Sequence, residues 1–114
     1  MRLINQSKNV VLAENVVLAN SFFKRIKGLL GRKDFLSDQA IILDPCNSVH
    51  TFFMHFTIDV LFVDKDYRVV EILPQLGPNR ISRIYWHSSR VIELSAGRLS
   101  LTNTQAQDQL QLIS

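Results

Sequence analysis

Four side chains able to do chemistry fall within one short block: Cys46, His50, His55 and Asp59. Thiolate, imidazole and carboxylate are all donors that suit zinc. Their order, C-x3-H-x4-H, is not a zinc-finger spacing, and the chain has no second cysteine. Alternation along an extended chain aligns Cys46, His50 and Phe52 and turns His55 away. No metal and no cofactor is expected. Cys46 beside His50 has the composition of a nucleophile with its base. No oxyanion-hole motif or third partner accompanies it, and a small buried cysteine is the commoner role.

Asp59 stands apart because its neighbours are apolar. A carboxylate buried there must be paired, hydrogen-bonded or neutral. The first expectation is that it accepts backbone N–H bonds or pairs with an arginine, ordering the loop before it. The sharper one is a general base or ligand-binding carboxylate near a rim. Glu93 alternates with apolar residues in a similar way, and two such acids would suit acid/base chemistry if the fold brought them together. Phe52, Phe53, Met54, Phe56 and Phe62 form an aromatic-rich stretch. About three of these five are expected in the core, and the rest around a His50–His55 loop as an apolar pocket or partner surface.

The elements that must position these groups are short. Met1 to Ile4, Val10 to Leu12 and Val16 to Leu18 read as strands. Phe22, Phe23, Ile26, Leu29 and Leu30 recur at helical spacing, which predicts an amphipathic helix over about 21–30. Asn20 or Ser21 can cap its start and Gly31 its end. Ala40 to Leu43 is a further strand. Ile58 to Val63 is apolar on both faces and should lie inside a sheet. Asp64-Lys65-Asp66 then turns the chain into Arg68 to Leu73. Pro74, Gly77 and Pro78 mark a loop. Arg90 to Leu94 is a strand, Arg98 to Leu101 a helical turn, and Gln109 to Ile113 a last strand. The fold class is mainly β: a small antiparallel sandwich or barrel-like domain with one clear helix and one short helical turn.

Three stretches resemble the DUF192 family. RIKGLLGRKDF at Arg25 to Phe35 is similar to the family's R-x-x-G-L-M-x-R. FFMHFTIDVLFVD at Phe52 to Asp64 is similar to F-W-M-K-N-T-x-x-P-L-D-I-x-F-x-D. VIELSAG at Val91 to Gly97 is similar to V-L-E-L-x-A-G. Order and spacing agree over roughly residues 22 to 113. The resemblance implies a compact, mainly β, sandwich-like fold and carries no established reaction. Leu30 replaces the family's usual Met, His55-Phe56 its Lys-Asn pair, and Tyr67 takes a turn position where Gly is common, leaving the turn type open.

Composition bounds the rest. At 114 residues the chain is one domain, 1–114, with 46% hydrophobic and 20% charged residues. That is globular rather than disordered. Thirteen basic and ten acidic residues give a formal charge of +3. Lys24, Arg25, Lys27, Arg32 and Lys33 cluster within ten residues, which ordinarily marks a solvated helix face. No run approaches the ~18 apolar residues of a membrane span, and no signal-peptide h-region is present, so a cytoplasmic protein is expected. The leading expectation is a non-catalytic domain binding a small molecule or protein partner in a groove near the 46–59 loop. Its ligand-binding residues would be Arg25, Arg32, His50, Met54, His55, Asp59 and Glu93. An enzyme using Asp59 with His50 or His55 as acid and base is the first alternative. A nucleic-acid or acidic-partner binder through the 24–33 cluster is the second; nucleic acid is the less expected partner.

Overall fold

The structure, a computed structural model, describes residues 1–19, 37–52 and 54–114. The helix expected over 21–30, its basic cluster, Arg25, Arg32 and Phe53 lie outside the described residues. Strands β1 (Arg2–Asn5), β2 (Val10–Ala13) and β3 (Asn15–Ala19) open the chain. Then come β4 (Gln39–Leu43), β5 (Ile58–Val63), β6 (Val69–Leu76) and β7 (Arg90–Ser95). Helix α1 (Arg98–Leu101) and β8 (Leu110–Ile113) follow.

These strands form a three-stranded sheet, β2-β1-β8, and a five-stranded sheet, β3-β4-β7-β5-β6. The β3–β4 pair is parallel, with Val17 opposite Ile41, and the other pairings are antiparallel. The mainly β expectation holds, but among the described residues the sheets do not close into a barrel. They are linked where Val69 donates its N–H to the Asp108 carbonyl at 2.8 Å and Leu110 donates to the Tyr67 carbonyl at 2.9 Å.

β5 shows why the five-stranded sheet is buried on both faces. All six of its residues, Ile58–Val63, are buried, as expected for an internal strand, although β7 holds the centre of the order. Leu61 and Val63 join Leu3, Leu12, Ile92, Leu99 and Leu110 in the core between the sheets. Ile58, Val60 and Phe62 project the other way, into a second core with Ile41, Leu43, Val49, Met54 and Val91. One face is thus covered by a sheet and the other by the loop after β4. Period-2 alternation sends successive apolar side chains into the two cores.

Two departures from the sequence reading have local causes. β6 runs through Pro74 to Leu76 instead of stopping at a loop. The register passes from Val60↔Leu73 to Ile58↔Leu76, so β6 carries an extra residue there. A bulge is where a strand tolerates proline. At the β5–β6 turn, Tyr67 adopts φ +65°, the left-handed conformation that glycine takes easily. The Arg90 guanidinium sits 4.7 Å from its ring centroid, and Arg90 Nε bonds Asp44 Oδ2 at 2.9 Å. Burial pushes the Tyr67 hydroxyl above its ordinary pKa, against the opposing pull of Arg90.

Asp108, beside the β1–β8 junction, is buried. Its Oδ2 accepts from Asn5 Nδ2 at 2.9 Å and from the Gln105 N–H at 3.1 Å, and Oδ1 meets Lys8 Nζ at 3.2 Å. Burial alone would raise its pKa, but the hydrogen bonds from Asn5 and Gln105 and the Lys8 charge together hold it below 3.8. A carboxyl with a depressed folded pKa adds stability that is complete above its unfolded value and lost as pH falls through the folded one. Asp108→Asn is therefore expected to cost about 1.5–3 kcal/mol near neutral pH. In urea titrations the gap from the parent protein should narrow as pH drops below about 4. A gap of constant size down to pH 2 would contradict this assignment.

Candidate functional site

Asp59 lies on the face of β5 that looks toward the three-stranded sheet, with Leu61 and Val63, and is 0% exposed. Its Oδ1 accepts the Gln75 N–H at 2.9 Å and its Oδ2 the Leu99 N–H at 2.8 Å. Gln75 is in the β6 bulge with φ +57°. Leu99 is in the first turn of α1, whose N-cap residue is Gly97, φ +91°, with no capping side chain of its own. Asp59 supplies from a neighbouring strand the acceptor that an N-cap side chain ordinarily provides. Both oxygens accept backbone N–H groups, the arrangement of the first expectation, and Asp59 has no exposed surface.

Glu93 is also buried but is not near Asp59 in the sense a catalytic pair requires. In the β5–β7 register Asp59 faces Leu94 and Val60 faces Glu93. Residues directly opposite share a face, so the two acids project from opposite sides of the sheet. Met54, expected at a ligand, is 6% exposed and belongs to the second core with Phe62. Phe56 packs against that core. Of the four described members of the aromatic stretch, Met54 and Phe62 are core, Phe56 is half-buried against it and Phe52 is exposed.

The residues left at the surface come from two segments laced side by side. Thr51 donates its N–H to the Arg80 carbonyl at 2.8 Å, Ser82 to Val49 at 2.8 Å and Tyr85 to Asn47 at 2.8 Å. The Thr51 hydroxyl adds a 2.7 Å bond to the Gly77 carbonyl, and His50 bridges Ile81. The result is an irregular antiparallel ribbon of residues 46–52 and 77–85 over the second core. Tyr85 fixes it from beneath, its ring 4.3 Å from that of Phe62. With its backbone tied inward, the ribbon turns side chains outward. His50 stacks on Phe52 at 5.2 Å. Phe52 is 41% exposed, Ile81 70%, Ile84 45% and Trp86 79%. Arg80, Arg83, His55 and His87 are exposed among them. No Asp or Glu occurs between residues 45 and 58 or between 77 and 92.

Of the expected ligand-binding set, His50 and His55 thus lie on or beside the ribbon, while Met54, Asp59 and Glu93 are buried. The sequence reading passed over Arg80, Ile81 and Arg83. Their signal was the run of acid-free sequence in which arginines alternate with large apolar residues. Beside the ribbon, Asp44, Pro45, Cys46, Asn47, Ser88 and Ser89 line an open cavity of about 420 Å³. Cys46 Sγ–H donates to the Ser48 carbonyl at 2.9 Å. Among the described residues no three metal-binding side chains gather at one point.

The model of the family DUF192, described as an uncharacterized ACR, matches residues 3–112. A UPF0127 protein of Pyrococcus horikoshii is 37% identical over 84 residues, 69% of this chain and 70% of the relative. A UPF0127 protein of Thermococcus sibiricus is 31% identical over 112 residues, 95% of this chain and 72% of the relative. Two crystal structures share the fold. A proposed transcription regulator from Sinorhizobium meliloti superimposes with a TM-score of 0.77 at 24% identity, covering 96% of this chain and 89% of its own. A protein of unknown function from Novosphingobium aromaticivorans gives 0.80 at 19% identity, covering 97% and 82%.

Asp59→Ala would leave the Gln75 and Leu99 N–H groups buried without their acceptor. The expected cost is about 2–5 kcal/mol, read as a lowered urea midpoint. A midpoint within experimental error of the parent would remove Asp59 as an anchor.

Proposed function

Because the chain belongs to the DUF192 family, whose name assigns no reaction, we propose its role from geometry: a non-catalytic binding domain that meets its partner through the ribbon of residues 46–52 and 77–85 together with the adjoining Trp86 and His87. The observation that carries this reading is the exposure of Phe52, Ile81, Ile84 and Trp86 on one acid-free ribbon. Large apolar side chains standing in water without a packing role mark interaction surfaces when they occur together. Aromatic residues and arginine are the types most enriched where partners are anchored. The ribbon is also fastened by backbone bonds on a rigid core, the usual arrangement of a binding loop on a scaffold.

Asp59 supports the same reading by elimination. Its two oxygens are engaged by backbone donors, so the acid/base mechanism that paired it with His50 or His55 has no accessible carboxylate from that residue. Binding through the 24–33 cluster concerns residues outside those described.

The reading is tested by a photo-crosslinking amino acid at Ile84, with one at the still more exposed Leu101 on α1 as control, in cells expressing the chain. Adducts are expected from position 84, and they should disappear when Trp86→Ala and Ile81→Asp are added. Those two changes are at the surface and should shift stability by no more than about 0.5 kcal/mol each. Adducts from position 101 alone would place the partner elsewhere.

A further inference from the structure

We infer that the ribbon docks on an anionic lipid surface, with Ile81, Ile84 and Trp86 entering the interface and Arg80 and Arg83 meeting the headgroups. The inference rests on the reading of the ribbon as the binding face and names its partner. Two properties of the ribbon select the lipid. The first is charge. Arg80 and Arg83 are exposed in a stretch that holds no acid from residue 77 to 92, and the facing segment holds none from 45 to 58. A second copy of the same face would set arginine against arginine, which disfavours a two-fold dimer through it. An anionic surface complements it at every position.

The second property is the kind of apolar side chain. Trp86 is 79% and Ile81 70% exposed, so neither has walls of its own protein around it. A folded partner would need a separate cavity shaped for each. A bilayer interface accepts them without shape matching, because its apolar region is fluid. Tryptophan is the residue that favours that boundary, its ring apolar and its indole N–H wet. Isoleucine offers no stacking face or hydrogen bond to a nucleic-acid base, so a single-stranded nucleic acid would use Trp86 and the arginines and leave Ile81 and Ile84 in water. Attachment of this kind lies on the membrane and crosses nothing. No helix among the described residues is long and apolar enough to span one.

Trp86 is the chain's one tryptophan, so it reports on its own surroundings. The test titrates the full chain with vesicles of phosphatidylglycerol and phosphatidylcholine in equal parts, at low salt, following Trp86 emission and co-sedimentation. The expected result is a blue shift with binding, weakened by added salt and absent with phosphatidylcholine alone. Each arginine near such a surface strengthens partitioning about fivefold. Arg80→Glu with Arg83→Glu should therefore weaken it at least about 25-fold. Ile81→Asp with Ile84→Asp should abolish the blue shift while the urea midpoint stays unchanged. No binding to the mixed vesicles overturns the inference. Binding that survives both double substitutions overturns it too, since another face would then be responsible. If vesicles fail while a poly-glutamate peptide or a dT15 oligonucleotide shifts Trp86 emission, the lipid is wrong and the binding face stands. If none of the three shifts it and crosslinks at position 84 are also absent, both fall.

Discussion

One carboxylate with no exposed surface holds three elements in register. Asp59 leaves β5, takes the backbone of the β6 bulge on one oxygen and the start of α1 on the other. Sealing a charge away from water costs several kcal/mol, and charge-assisted bonds to two otherwise orphaned N–H groups offset that. The bonds also remove freedom of register. A one-residue slip of β6 against β5 would carry Gln75 away from Asp59 and reverse every side chain of the strand. Val60 and Phe62 project to the opposite face because Asp59 is fixed to this one. The position of the second core, and of the loops resting on it, follows from that choice.

The two faces of the five-stranded sheet are finished differently. Toward Asp59 the cover is another sheet, whose hydrogen bonds run edge to edge and whose inward side chains are aliphatic. Toward Glu93 the described cover is irregular chain, held by reciprocal bonds such as Ser82 N–H to the Val49 carbonyl and Val49 N–H to the Ser82 hydroxyl. Irregular backbone over a core must still satisfy its polar groups, and here two loops satisfy each other. Such a layer can change its outward residues without disturbing the sheet, which is why variable chemistry belongs there. The lack of acids along both loops gives that layer a field of one sign.

Most of the fold was legible because its signals are local. β5 announces itself by apolar residues on both faces, and Gly97 by standing between a strand and a helical turn. Asp59 was legible as an anomaly, a carboxylate where only apolar neighbours fit, and burial with backbone partners was the reading that physical cost favoured. What stayed hidden depends on contacts distant in sequence. Nothing near Pro74 tells that its strand continues through a bulge, because the reason is Asp59, fifteen residues earlier and on another strand. That Asp59 and Glu93 face apart follows only from the β5–β7 register. The ribbon was hardly legible, because the pairing of Ile81 with His50 that builds it joins residues distant in sequence. The histidines at 50 and 55 suggested ligands by type, and the stacking of His50 on Phe52 could not be read from type alone.

The pairing of β1 with β8 sets a timetable for the chain during synthesis. Arg2 to Asn5 lie opposite Ile113 to Leu110, so the middle strand of the smaller sheet is made well before β8, one of its two neighbours. At ordinary translation rates the interval is about 5–20 s. Through that time β1 has β2 alone beside it, Leu3 and Leu12 have no Leu110 to pack against, and an open edge is available to other nascent chains. β1 is thus open to misassembly until β8 has been made, and its protection is a matter of how fast that strand arrives.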